Sequence, residues 1–348
     1  MSGPFRVGLT RDFLKPDGTI GFGDIGLSML DEAPGIEWQF LAEKTRELRP
    51  DQVRDYDALI VLGPRITADT LAGADRLALL ARFGVGYDSV DVDACTANGV
   101  ILTITPDGVR RPVAVAIMTY LLALATRLFQ KDRLTREGRW HDKLDEMGMG
   151  LTDRTFGMVG VGNIGRDFLA LARPFEMRHL AFDPYVTPEQ AADLGVELVD
   201  LETLLRQSDF VSISCPLTPE TYHLIDAERL ALMKPTAYLI NTARGPIVDE
   251  AALAEALRER RIAGAGLDVF EQEPVDPDNP ILRLDNIIVA PHGLAWTDEC
   301  FLGNGRSACQ SILDVAAGRV PRNVVNRAAL DSPRFQEKLQ RYAARAGA

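Results

Sequence analysis

Two stretches of the chain, GFGDIG at 21–26 and GVGNIG at 160–165, satisfy Gly-x-Gly-x-x-Gly. In that pattern, backbone amides and a helix N-terminus meet a pyrophosphate. The chemistry needs a strand directly before the turn and a helix opening on it. At 160–165 both conditions hold: TFGMV reads as a buried strand, and RDFLALARPFEM has helical periodicity through Phe168, Leu169, Leu171 and Ala172. HLAFD then ends in Asp183, 21 residues after Gly162. A carboxylate there is placed to accept hydrogen bonds from adenosine ribose hydroxyls and would repel a 2′-phosphate, which favours NAD over NADP. At 21–26 the strand FRVGLT has already ended, KPDG with Pro16 and Gly18 intervenes, and LSMLDEAPG is a short, interrupted helix start. Glu43 does lie 20 residues after Gly23, but the expectation for this turn is a flexible surface or cleft loop.

The elements that must position such a site alternate almost throughout. Short β-branched runs at 5–10, 58–62, 77–82, 99–103, 155–159, 179–182, 210–214, 237–241, 263–267 and 287–289 are separated by amphipathic stretches. This implies an α/β fold with two parallel sheets flanked by helices. TITPDGVRRP at 103–112 marks one boundary and precedes a long helix expected over 113–129. After NIIVAPH, a helix expected over 297–318 has no further strand to follow, so it should return to the first sheet before an irregular tail. The expected domains are 1–102 plus 297–348, and 103–296.

A length of 348 residues is more than one core usually serves. A net charge of −12 disfavours nucleic acid as a partner. The N-terminal stretch lacks an apolar signal region. The apolar run 114–125 is shorter than a bilayer span, so no membrane association and a cytoplasmic location are expected. Cys95, Cys215, Cys300 and Cys309 lie far apart, which supports reduced thiols over a disulfide framework or a zinc site. No metal is expected.

GVGNIG in mid-chain is followed by NTARGPIVDE (241–250), GLDVFEQEP (266–274) and PHGLAWT (291–297). With RFGVGYDSVDVDACTANGV (82–100) and PLTPETYHLI (216–225), the chain resembles the D-isomer-specific 2-hydroxyacid dehydrogenases from about residue 55 to 327. The resemblance implies two Rossmann-like or flavodoxin-like domains with an active-site cleft between them, the second binding NAD. It also implies a catalytic set of Arg244, Glu273 and His292 acting on a 2-hydroxy or 2-oxo acid. The chemistry suits these residue types. Hydride addition to a 2-oxo acid leaves an alkoxide that must take a proton, and imidazolium can supply it near neutral pH. A carboxylate beside the ring favours and orients the charged form, and a guanidinium fork grips the substrate carboxylate and polarises the carbonyl. His292 is also the one histidine at the C-terminal end of an expected strand, where α/β sheets place ligands. His141 and His223 lie on polar stretches where a solvated role is expected.

Further contacts are carried over from the family. Gly160, Gly162, Asn163, Ile164 and Gly165 meet the pyrophosphate. Asp183, Cys215, Pro216 and Thr221 serve the adenosine side. Thr242, Ala243, Arg244, Asp268, His292 and Ala295 serve the nicotinamide side. The resemblance places the substrate carboxylate on the backbone at Val85 and Gly86. Arg65, with Arg110 and Arg111, could meet a second anionic group or be ordinary surface charge, and Trp296 could wall the pocket or simply pack. Between Glu271 and Glu273, the family pattern favours the glutamate directly before proline. Val115 stands where the family commonly has glutamate. A homodimer through the nucleotide domain is expected by analogy. Alternative readings are an NAD-sensing corepressor of the C-terminal-binding-protein type, or a phosphite dehydrogenase, although no lysine stands near Val85.

Overall fold

The computed structural model describes residues 3–346. Met1, Ser2, Gly347 and Ala348, which the sequence reading assigns to the first domain, lie outside the described residues. The chain divides into two compact units, Met1–Val109 with Trp296–Ala348, and Arg110–Ala295. It passes from one to the other within a helix, Pro106–Thr126, and not in an irregular linker. The prolines that suggested a linker are compatible with that helix: Pro106 opens it, where a missing N–H removes no intrahelical bond, and Pro112 lies inside it. The helix expected over 113–129 therefore starts earlier. It ends at Thr126 because Arg127 adopts a left-handed conformation (φ 54°) and a second helix, Leu128–Arg136, begins.

The first unit is built on strands β1 (Phe5–Leu9), β2 (Ile36–Phe40), β3 (Ala58–Val61), β4 (Leu79–Arg82) and β5 (Ile101–Thr103). They form one parallel sheet in the order β2-β1-β3-β4-β5, the flavodoxin-like doubly wound arrangement. Strand β2 is absent from the expected set: the central strands are continuous buried runs, whereas IEWQF is an edge strand that alternates half-buried and exposed residues. The helix Asp298–Ala316 packs on this sheet through Cys300, Phe301, Ala308, Cys309, Ile312 and Val315, and the Thr297 hydroxyl caps its start on the Cys300 amide.

The loop at 21–26 is anchored to that helix, which corrects the expectation of a flexible loop. Gly305 lies directly against the Ile25 carbonyl, where no Cβ would fit. Phe22 stacks on Phe301 (centroids 4.1 Å apart) and meets Trp296 edge-on at 5.2 Å. The tail is not irregular either. Pro333–Ala346 is a helix that buries Phe335, Leu339 and Tyr342, at i, i+4 and i+7.

The second unit carries β6 (Thr155–Val159), β7 (Arg178–Phe182), β8 (Glu197–Leu198), β9 (Phe210–Ile213), β10 (Tyr238–Asn241), β11 (Gly264–Leu267) and β12 (Ile287–Val289). The order is β12-β11-β10-β9-β6-β7-β8, all pairs parallel. The winding reverses between β6 and β9, and outside the carboxyl ends of two such strands is where doubly wound sheets bind ligands. Strand β8 is two residues long, too short to leave a periodic signal. Pro106–Thr126 is, by length and composition, apolar enough to cross a membrane, but 61% of its most apolar window is buried. Ala114, Ile117, Leu121 and Leu124 belong to the core of this unit, with Phe156 and Phe168.

Candidate active site

The glycine turn at 160–165 leaves β6 and opens the helix Asn163–Ala172. Its three glycines do different work. Gly160 sits at φ 94°, and a Cβ there would lie 2.8 Å from the Cys215 amide nitrogen, so β6 and the chain after β9 approach closely. A Cβ on Gly165 would meet the Met158 methyl at 3.0 Å, so this glycine seats the helix on the strand. Gly162, by contrast, faces open space, and no side chain caps the helix it starts. The amides of Gly162, Asn163 and Ile164 have no protein acceptor among the described residues. Uncapped amides beside an open glycine, at the positive end of a helix, are the kind of site that can hold an anionic group such as a pyrophosphate.

Asp183 follows β7 and reaches this turn: its Oδ2 accepts the Val161 amide at 2.8 Å and its Oδ1 the Tyr185 amide at 2.9 Å. Cys215 and Pro216 follow β9, the neighbour of β6 across the switch point. Burial pushes the Cys215 thiol up to about 11, which keeps it neutral. Thr221 turns inward, donating from Oγ1 to the Pro216 carbonyl at 2.7 Å and accepting the Thr218 amide at 2.7 Å.

Arg244 follows β10. The buried Asn241 at the end of that strand holds the intervening loop, accepting the Ala243 amide (3.0 Å) and donating to the Arg244 carbonyl (2.9 Å). Sequence reasoning did not single out Asn241; the only trace of it is an amide side chain closing a strand of buried apolar residues. Thr242 and Ala243 lie in the loop thus fixed, and the half-buried Arg244 bonds the Ala243 carbonyl (2.7 Å).

His292 follows β12 at φ 51°, a left-handed conformation that histidine, with asparagine and aspartate, adopts more readily than other side chains. Its Nδ1 lies 2.7 Å from Glu273 Oε2, and Nε2 has no protein partner among the described residues. Glu273 Oε1 accepts the Phe270 amide at 3.1 Å. Burial alone would raise the Glu273 carboxyl, but the His292 hydrogen bond and charge, then the Phe270 amide and Arg244, outweigh it and hold it below its ordinary value. Asp268, 5% exposed at the end of β11, accepts the Gly293 (2.9 Å) and Leu294 (3.1 Å) amides and so fixes the backbone just after His292. Burial raises its carboxyl, against those two bonds and the His292 charge. Ala295 is buried at the end of this unit.

Glu271, the alternative to Glu273, pairs with His223 Nε2 at 2.7 Å. The solvated role expected for His223 is thereby corrected: the ring is bonded and stacked by Tyr222, centroids 4.1 Å apart.

Within the first unit, Val85 and Gly86 follow β4. Gly84 is locked by its amide on Thr105 Oγ1 (2.7 Å), and the amides of Val85 and Gly86 donate to no protein acceptor among the described residues. Arg65 is exposed after β3, and Trp296 is 54% exposed. In the second unit Arg110 pairs with Asp167 at 3.5 Å, the ordinary surface role that the sequence allowed for it.

Residues 118–293 match the model of the D-isomer specific 2-hydroxyacid dehydrogenase NAD-binding domain. A glyoxylate reductase of Korarchaeum cryptofilum is 40% identical over 306 residues, 86% of this chain and 92% of that one. A D-3-phosphoglycerate dehydrogenase of Methanocaldococcus jannaschii is 40% identical over 284 residues, 81% of this chain and 54% of that longer one. The crystal structure of D-lactate dehydrogenase from Aquifex aeolicus complexed with NAD and lactic acid aligns over 92% of this chain and 99% of that one, with TM-score 0.81 and 26% identity. The chain therefore belongs to the D-isomer specific 2-hydroxyacid dehydrogenases, NAD-dependent oxidoreductases acting on CH–OH donors.

Proposed function

We propose that the protein reduces a short 2-oxo acid to its D-2-hydroxy acid, with His292 as proton donor, Glu273 as its orienting partner and Arg244 as the substrate clamp. The observation that carries this reading is the His292–Glu273 pair. Its 2.7 Å bond engages Nδ1 and leaves Nε2, on a ring 46% exposed, able to present a proton. When bound, NADH supplies the hydride.

The chain's own residues supply the rest. The uncapped amides at 162–164 receive the pyrophosphate, and Asp183 receives the adenosine ribose while disfavouring a 2′-phosphate. Cys215, Pro216 and Thr221 line the adenosine side, and Thr242, Ala243, Asp268 and Ala295 the nicotinamide side. Arg244 pairs with the substrate carboxylate and draws electron density from the carbonyl as the alkoxide develops. His292 gives its Nε2 proton to that oxygen, and the Glu273 carboxylate stabilises the imidazolium beforehand. The idle amides of Val85 and Gly86 suit a carboxylate oxygen.

The glyoxylate reductase relatives suggest a small side chain on the substrate, and we infer a 2-oxo acid of the glyoxylate class. Arg65 and Trp296 remain the candidates for contacting anything larger. We further infer a homodimer: Leu128, Phe129, Trp140, Leu144 and Met147 are exposed within one stretch of the nucleotide-binding unit, and concentrated exposed apolar surface marks association.

The test is a panel of 2-oxo acids, from glyoxylate to phosphorylated and long-chain members, with NADH consumption followed. Turnover concentrated on the shortest acids supports the reading. Tight NADH binding with no turnover of any 2-oxo acid contradicts it.

A further inference from the structure

Besides the His292–Glu273 pair, a second histidine–glutamate pair joins three segments, two of which carry proposed active residues. His223 Nε2 meets Glu271 Oε1 at 2.7 Å, and Asp249 Oδ2 lies 4.0 Å from the other ring nitrogen. Glu271 is tied in turn to Glu250 in both directions: it accepts the Glu250 amide on Oε1 and donates its own amide to Glu250 Oε2, each at 3.0 Å. The His223 amide donates to the Pro246 carbonyl at 2.8 Å, and Ile225 forms a parallel bridge with Val248. Gly245 lies against the Phe270 carbonyl so closely that no side chain would fit. The segments 222–225, 244–250 and 270–273 are thus bonded to one another, with Arg244 at the start of the second and Glu273 at the end of the third.

We propose that His223 is a positioning residue for Arg244 and Glu273, acting through Glu271. The inference rests on the reading above, in which those two residues serve the reduction.

One further observation favours a positioning role over simple stabilisation. The pair is 30% and 34% exposed, and side-chain pairs with that much access to water contribute little to folding. Its loss should therefore be felt in catalysis more than in stability.

The test compares wild type with His223→Ala, His223→Gln and Glu271→Gln. His223→Ala should lower kcat about 10- to 100-fold, the range for groups that orient active residues, and raise KM for the oxo acid. Tm should stay near wild type. His223→Gln keeps a donor toward Glu271 and should recover most of the loss. The His292 ring Cε1–Hε1 cross-peak should shift in His223→Ala and Glu271→Gln and return toward its wild-type position in His223→Gln. An unmoved cross-peak overturns the inference, as does a kcat loss matched by an equal loss of stability or one that His223→Gln does not rescue. Wild-type protein inactive on every 2-oxo acid would instead overturn the functional reading, and the cross-peak comparison would still decide this one.

Discussion

At the scale of single residues, the proposed chemistry depends on charge and donor geometry. Arg244 is half-buried and held by the Asn241-braced loop, so its planar fork cannot be replaced by a point charge. Arg244→Lys should keep the fold and the NADH affinity yet lose about 2 kcal/mol of transition-state stabilisation, the scale of a charged hydrogen bond. Steady-state kcat/KM beside an NADH titration checks it, and equal kcat/KM would contradict the clamp role. The residues of this site were readable to different degrees. His292 stood out because it alone among four histidines follows an expected strand at its C-terminal end. His223 did not, because its partner Glu271 lies 48 positions away and a polar stretch looks the same whether its histidine is solvated or bonded. Asn241 was hidden for the same reason: its two bonds close a local turn that composition does not report.

At the scale of elements, the turn and the helix it opens separate a binding role from a folding role. Gly162 has ordinary extended dihedrals and open space around it. Gly162→Ala should therefore fold normally while its methyl obstructs the uncapped amides and weakens NADH binding. Gly160→Ala meets both a φ of 94° and the Cys215 backbone at 2.8 Å, and should lose stability outright, by about 1–3 kcal/mol. Denaturant unfolding and NADH titration of both variants check the contrast; equal effects on stability would contradict it. Most of the central strands were legible because they are runs of largely buried residues, and ten of the twelve strands had an expected counterpart. Of the four edge strands, β2 and β8 were not legible, β2 because it alternates half-buried and exposed residues and β8 because it has only two residues. The loop at 21–26 was misread as flexible because its anchors, Phe301 and Gly305, lie nearly 300 residues along the chain. The tail helix was missed although Phe335, Leu339 and Tyr342 have helical spacing, because charged residues occupy most positions between them.

At the scale of the whole molecule, stability carries its own pH signature. Lys338 is 5% exposed and donates to the Leu77, Asn98 and Gly99 carbonyls at 2.6, 3.0 and 3.2 Å. Burial pushes its ammonium down to about 8 from an ordinary 10.5. Between those values the unfolded chain binds more protons at this site than the folded one, so the contribution of Lys338 to stability rises with pH there and is least below pH 8. The unfolding free energy of wild type minus that of Lys338→Met should increase between pH 8 and 10, groups common to both chains cancelling. A flat or falling difference would contradict the burial argument.

In the proposed reaction one imidazole of the NAD-binding unit, held by Glu273, gives the proton that completes reduction of a 2-oxo acid. The most direct test is steady-state NADH consumption by wild type and His292→Asn with the best oxo acid of the panel, NADH affinity being measured alongside. His292→Asn should lower kcat by about 10²–10⁴-fold, the usual worth of a positioned acid or base, with NADH affinity retained. Unchanged kcat in His292→Asn would contradict it.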